Sequence, residues 1–160
     1  RFMAFGCQVI GIDVIPFQSS IFTKIDNLEK LDDYLASSDI VVLTLPLTEK
    51  TRCLMNKEHL ACMRHKSILV NIARGGVVDT DALIDALENQ LLGAVLDVFE
   101  EEPLDSNSPL WNMECVILTP HNSFIGEGNR KRLQTLIVKN LENYAQVRGC
   151  HEVFINFSKE

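Results

Sequence analysis

Arg74, Glu102 and His121 are residues of the types that bind and protonate a small organic acid. Arginine presents a rigid, permanently charged fork that matches a carboxylate with two hydrogen bonds. If a glutamate touches a histidine, it fixes the ring tautomer and favours the cation, which can give a proton to a carbonyl oxygen. The three residue types therefore suit an α-keto or α-hydroxy acid, whose carboxylate and carbonyl oxygens lie side by side.

Arg74 stands in the stretch NIARGGVVD, directly after the apolar run Ser67–Ala73. Gly75 and Gly76 follow it at once. Residues without a side chain let the backbone turn sharply and let a flat ligand approach closely. The stretch is therefore a candidate binding loop at the end of a buried strand.

Each of the three residues also has an ordinary structural interpretation. Arg74 would then pair with a surface acid, and Glu102 would be a solvated acid in an acidic loop. His121 would be a loop histidine on a proline turn. The residue types alone leave these alternatives open.

Short apolar runs and amphipathic stretches alternate along the chain and must position these residues. Strands are predicted at Gln8–Asp13, Ile40–Leu45, Ser67–Ala73, Gly93–Val98 and Cys115–Leu118. Helices are predicted at Asp26–Ser37, Asn56–Met63, Asp79–Asn89 and Glu127–Val147, and the tail His151–Glu160 as one further short element. Asp26, Asn56 and Asp79 are the predicted helix caps.

The strands are near-continuous in Val, Ile and Leu, which is typical of parallel strands buried on both faces. Helices between successive strands predict an α/β fold with an open, doubly wound, mostly parallel sheet. Ligands of such sheets bind outside the carboxyl ends of the strands. The residues predicted at those ends are Asp13, Pro46, Arg74, Asp97 and His121.

Asp13 ends the strand QVIGID. In a dinucleotide-binding fold, an acid there accepts hydrogen bonds from the adenosine ribose, and its charge repels a 2′-phosphate. No Lys or Arg occurs among the ten residues that follow, which favours NAD over NADP. A turn or cap aspartate is the alternative. The glycine fingerprint Gly-x-Gly-x-x-Gly of dinucleotide-binding folds is absent from the sequence. The first residues, RFMAFG, resemble the last turns of the helix that normally follows this fingerprint. We therefore expect the first strand and the phosphate loop upstream of Arg1.

Composition excludes several classes of partner. The chain has 160 residues, enough for one domain with a full core, and its formal charge of −7 comes from 15 basic and 22 acidic residues. That balance argues against nucleic acid or an anionic membrane as the main partner. The five cysteines are scattered without a Cys-x-x-Cys pair, which favours reduced thiols in a cytoplasmic protein over disulfides or a zinc site. The sequence contains no stretch that predicts a membrane span.

Three ordered motifs, NIARGGVVD, GAVLDVFEEEPL and LTPHNSF, resemble the D-isomer-specific 2-hydroxyacid dehydrogenase family. That family includes phosphoglycerate, D-lactate and glyoxylate/hydroxypyruvate dehydrogenases. The resemblance covers nearly the whole chain, from GCQVIGID to the final predicted helix. It implies a Rossmann-like NAD-binding domain and hydride transfer between NAD and a 2-keto or D-2-hydroxy acid.

The resemblance also implies residue roles. Arg74 would bind and polarise the keto acid, His121 would be the acid/base, and Glu102 would support His121. The residues that would also contact NAD are Asp13 at the ribose, Pro46 on the adenosine side, the backbone of Ile72 and Ala73, Arg74, Asp97 at the carboxamide, His121 and Ser123. The chain departs from the family after the histidine, where Phe124 stands in place of the usual small residues.

By the same resemblance, residues 1–160 would form an NAD-binding domain that lacks its first strand and glycine-rich loop, with the substrate domain absent. The chain alone is then expected to bind NAD poorly and to show no turnover. A homodimer formed through the nucleotide domain and a cytoplasmic location are further expectations. An NAD(H)-sensing regulator or co-repressor on the same fold is the alternative function.

Overall fold

The computed structural model describes residues 2–145 apart from 18 and 124. They fall into two units, one up to His121 and one from Asn122 onward. The predicted tail 151–160 and the predicted helix end at Val147 lie outside the described residues.

The first unit contains a four-stranded sheet in which all neighbours are parallel and lie in the order in which they occur along the chain. Its strands are β3 (Ile40–Leu43), β4 (Ile68–Asn71), β5 (Gly93–Leu96) and β6 (Val116–Leu118). The register pairs Asn71 with Leu96 and Leu96 with Leu118, so the carboxyl ends of three strands are aligned. The predicted α/β fold with a mostly parallel sheet is confirmed.

Two crossover helices join these strands, and both begin at the predicted caps. Helix α2 (Lys57–Cys62) leads from β3 to β4, and α3 (Thr80–Asn89) leads from β4 to β5. The Asn56 side chain accepts a hydrogen bond from the third residue of α2, and the Asp79 side chain does the same for α3. A side-chain acceptor at this position satisfies an amide that the helix leaves without a partner.

The core lies between this sheet and its helices. Leu69 in β4 is fully buried, and Leu60 from α2 and Leu83 from α3 are almost so. Burying one such side chain contributes about 1.5–3 kcal/mol. This packing holds the strand ends, and therefore the loops that follow them, in place.

A second, two-stranded parallel sheet pairs β1 (Ile10–Ile12) with β2 (Lys24–Asp26) and precedes α1 (Leu31–Ser37). The prediction that Asp26 caps a helix was wrong, because Asp26 is the last residue of β2 and a 3-10 turn at Leu28–Lys30 leads into α1. The Asp26 carboxylate instead pairs with the Lys24 ammonium at 2.6 Å and accepts from the Tyr34 hydroxyl. The Lys24 hydrogen bond, followed by that of Tyr34, lowers the pKa of Asp26 below its ordinary value of 3.8.

Each predicted strand is shorter in the structure. β3 and β5 end two residues earlier than predicted, β6 begins one residue later, and β1 and β4 are shorter at both ends. In the second unit, α4 (Asn129–Ala145) begins two residues later than predicted. None of the helices in the described part of the chain has both the length and the apolar character needed to cross a bilayer. No group of His, Cys, Asp and Glu among the described residues could hold a metal ion.

Candidate active site

Asn71, the last residue of β4, organises the loop that carries Arg74. Its side chain is 1% exposed; Oδ1 accepts from the Ala73 N–H and Nδ2 donates to the Arg74 carbonyl, each at 3.1 Å. Its own carbonyl accepts from the Asp97 N–H at 3.0 Å. The Arg74 side chain is exposed and donates one bond at 2.7 Å to the Ala73 carbonyl. A buried amide therefore fixes the backbone from which an exposed guanidinium extends.

Gly75 is a point of contact between two loops of the site. A Cβ on Gly75 would overlap the carbonyl of Phe99 and crowd the backbone nitrogen of Glu100. The Phe99 N–H in turn donates to Glu102 Oε1 at 3.1 Å. The close approach that requires glycine here is therefore made by another loop of the protein, which differs from our expectation that Gly75 admits a ligand.

Glu102 and His121 are in direct contact, with 2.8 Å between Glu102 Oε2 and His121 Nδ1. An ionised carboxylate can only accept, so Nδ1 carries the proton. The His121 hydrogen bond, followed by that of the Phe99 N–H, lowers the pKa of Glu102 below its ordinary value of 4.5. The side chains are 41% and 38% exposed for His121 and Glu102, so a small molecule in solution can reach the pair.

The three residues belong to loops that follow three adjacent parallel strands: Arg74 follows β4, Glu102 follows β5 and His121 follows β6. The structure thus brings them to one edge of the sheet. A cation that can hold a carboxylate and a histidine with an oriented ring are the groups needed to bind and protonate a keto acid.

Asp97 directly follows β5 and is 1% exposed. Its Oδ1 accepts a hydrogen bond from Thr119 Oγ1 at 2.6 Å. A buried carboxylate needs such partners because it has lost its hydration. Asp97 is therefore a fixed acceptor at the same sheet edge.

The other residues predicted to contact a dinucleotide follow different strands and differ in exposure. Asp13 is exposed after β1, and its carboxylate accepts from the Ile15 N–H at 3.1 Å, as a turn aspartate does. Pro46 is exposed after β3, and Ile72 leaves 42% of its surface exposed after β4. Ala73 is buried. Ser123 is an exposed residue of the second unit, and Phe124 is outside the described residues.

Two of these residues leave surface that fits parts of a dinucleotide. Asp13 presents an exposed carboxylate to hydroxyl donors, whereas Asp97 is 1% exposed and its Oδ1 already accepts from Thr119. Ile72 supplies exposed apolar surface for a flat ring.

A cavity of about 430 Å³ lies between α3 and the loop that follows β5, and Asn71, Gly75 and Phe99 of the site loops are among its lining residues. Leu83, Leu104 and Leu110 are among the residues that line it. Arg74, Glu102 and His121 are not. The candidate active site is therefore an open sheet edge and not this cavity.

Asn71 and Thr119 are not among the site residues that the sequence predicts. Both act through hydrogen bonds to the loops, and neither type carries the chemistry of an acid/base group. A signal was available, since a buried polar residue at the carboxyl end of an apolar strand must find a partner close by.

We expect Glu102→Gln to remove a stabilisation that depends on pH. Because folding lowers the pKa of Glu102, its contribution is present above the ordinary value of 4.5 and is lost as the pH falls through the lower value of the folded state. The difference in free energy of unfolding between wild type and variant should therefore shrink from about pH 6 to about pH 3. Urea denaturation measures it, with Glu101→Gln as the control for loss of one charge. An unchanged difference would contradict the prediction.

Comparison with known proteins identifies the family. The family described as "D-isomer specific 2-hydroxyacid dehydrogenase, NAD binding domain" matches residues 1–123. The chain is 50% identical over 112 residues to a glyoxylate reductase of Pyrococcus horikoshii, with 69% of this chain and 33% of that protein covered. It is 39% identical over 151 residues to an (S)-sulfolactate dehydrogenase of Chromohalobacter salexigens, with 93% and 49% covered.

Solved structures of members of the same family also resemble this chain. A D-isomer-specific 2-hydroxyacid dehydrogenase of Xanthobacter autotrophicus Py2, in complex with NADPH and MES, superposes with a TM-score of 0.81 at 41% identity. The match covers 88% of this chain and 58% of that one. The chain spans a third to about half of the length of the two curated relatives. The chain belongs to the D-isomer-specific 2-hydroxyacid dehydrogenase family, and residues 1–123 match that family's NAD-binding domain.

Proposed function

We propose that this chain is the NAD-binding part of an NAD-dependent dehydrogenase that interconverts a 2-keto acid and a D-2-hydroxy acid. The contact between His121 Nδ1 and Glu102 Oε2 carries the proposal, because it orients an exposed imidazole on the sheet edge that also carries Arg74. Membership of the family supports the reaction class.

In this proposal each of the three residues has one task. Arg74 holds the substrate carboxylate and offsets charge that develops on the carbonyl oxygen. His121, with Nδ1 bonded to Glu102, exchanges a proton with that oxygen through Nε2. Glu102 holds the ring in this tautomer through the bond to Nδ1. The nicotinamide, when bound, supplies or accepts the hydride at the carbonyl carbon.

The cofactor proposed is NAD and not NADP. The Asp13 carboxylate would accept hydrogen bonds from the ribose hydroxyls, and its charge would repel a 2′-phosphate. The first basic residue after Asp13 is Lys24, whose ammonium pairs with Asp26. The Xanthobacter relative, by contrast, was solved with NADPH.

The arrangement of the complete protein is part of the proposal. A substrate domain and a glycine-rich phosphate loop would come from sequence outside these residues, and two copies would associate through their nucleotide domains. Cys7, Cys53, Cys62 and Cys115 are free thiols, which supports a reducing, cytoplasmic location.

A steady-state assay of the complete gene product tests the function. NADH oxidation is followed with glyoxylate, hydroxypyruvate and pyruvate, and NAD reduction with 3-phosphoglycerate. We expect turnover with at least one of these acids, and a higher kcat/KM for NADH than for NADPH with the keto acids. Binding of NADH without turnover on any of them would contradict the dehydrogenase proposal. The 160-residue chain is the control and should show no turnover.

A further inference from the structure

Thr119, directly after β6, makes three hydrogen bonds at the site. Its N–H donates to the Leu96 carbonyl at 3.0 Å, which continues the pairing with β5 by one residue. Its Oγ1 donates to the buried Asp97 carboxylate at 2.6 Å. Its carbonyl accepts from the His121 N–H at 3.0 Å. One residue therefore ties the end of β5 to the turn that presents the imidazole.

The bond from the His121 N–H to the Thr119 carbonyl closes a three-residue turn around Pro120. Such turns need a central residue with a restricted φ, and proline supplies one. His121 follows with a φ of +51°, in the left-handed region that residues with a Cβ seldom adopt. A backbone of this kind persists only where surrounding contacts hold it. Thr119 provides two such contacts to the turn, one from its carbonyl to the His121 N–H and one from its Oγ1 to Asp97.

The side-chain bond anchors the turn to a rigid point. Asp97 is 1% exposed, and its N–H is held by the Asn71 carbonyl of the neighbouring strand. Asp97 also lies close enough to Glu102 for its negative charge to oppose the lowering of the Glu102 pKa. The Thr119 hydroxyl therefore joins the turn of His121 to the strand end from which the Glu102 loop departs.

We propose that Thr119 is a positioning residue whose hydroxyl, through Asp97, holds the His121 turn in register with Glu102. The inference rests on the proposed function for its effect on turnover. Its effect on the His121 ring does not depend on that function.

The first experiment is nuclear magnetic resonance on the 160-residue chain. Thr119→Val keeps the branched shape and removes the hydroxyl, while Thr119→Ser keeps the hydroxyl. The ring ¹⁵N signals of His121 report which nitrogen carries the proton. Wild type and Thr119→Ser should share the Nδ1-protonated pattern, and Thr119→Val should shift towards a mixture of tautomers. Wild-type ring signals in Thr119→Val would overturn the inference.

If Thr119→Val does not fold, Thr119→Ala replaces it in this experiment. The smaller side chain leaves room for a water that can bond Asp97, while the turn still loses its hydrogen bond to that carboxylate. Its ring signals should also show the mixture. A wild-type pattern in this variant would equally overturn the inference.

The second experiment is kinetic and uses the complete gene product. Misplacing a reacting group by about 1 Å costs up to about 100-fold in rate, so Thr119→Val should lower kcat by about 10- to 100-fold. KM for the keto acid should stay within about twofold, because Arg74 is held by Asn71 and not by Thr119. Thr119→Ser should restore most of kcat. Absence of turnover in wild type counts against the proposed function alone, whereas wild-type kcat in Thr119→Val counts against this inference alone.

Discussion

Replacing His121 with alanine is expected to lower kcat of the complete gene product by about 10²- to 10⁴-fold, the usual contribution of a positioned acid/base. The substrate oxygen would lose its proton donor, whereas Arg74 and Asp97 would be unchanged. Affinity for NADH should therefore stay within about twofold of wild type. Steady-state kinetics and calorimetric titration measure the two quantities.

His65→Ala is the matched control, since His65 is exposed and lies before β4, at the opposite end of the strand from Arg74. It should leave both quantities unchanged. A large loss of NADH affinity in His121→Ala with intact turnover would remove His121 from the acid/base role.

Gly75→Ala is expected to destabilise the chain by about 3 kcal/mol or more, at the upper end of the cost of overpacking. The new methyl group would overlap the Phe99 carbonyl, and two backbone segments would have to separate. Phe99 also holds Glu102 through its N–H, so the variant should disturb the Glu102–His121 contact as well. Urea denaturation of the 160-residue chain measures the loss.

Gly76→Ala is the control, because a Cβ there meets the end of the Leu47 side chain at 3.2 Å, and that side chain can move. Its change in free energy of unfolding should lie within about 1 kcal/mol of zero. Equal effects of the two alanines would show that the Gly75–Phe99 approach is not what requires glycine.

Much of the fold could be predicted because the sequence signals were local and consistent. The four strands of the larger sheet are apolar runs, and Asn56 and Asp79 are side chains of the types that cap helices. Strand β2 could not be found in this way, since its three residues, Lys24–Asp26, include two charges. Those charges pair with each other and with Tyr34, a contact that no local pattern reveals.

The contact between Glu102 and His121 was expected from the order of the motifs, and the structure contains it. The hydrogen bonds of the Asn71 and Thr119 side chains were not expected, because they depend on which carbonyl or carboxylate the folded loops place within reach. The sequence predicts that glycine at position 75 allows a sharp turn and the approach of a ligand, whereas its close neighbour in the structure is the Phe99 backbone. Such contacts between loops follow from tertiary packing and leave little trace in residue type.

The strands that carry Arg74, Glu102 and His121 are consecutive in sequence and adjacent in the sheet. The residues to which we assign anion capture and proton exchange therefore belong to one uninterrupted stretch of the chain, from Asn71 to His121. A chimera could carry this stretch in place of the corresponding segment of a relative. We expect the three residues to keep their proposed roles in such a chimera, because they are transferred together. The recipient would keep its own ribose-recognising end and hence its choice of dinucleotide.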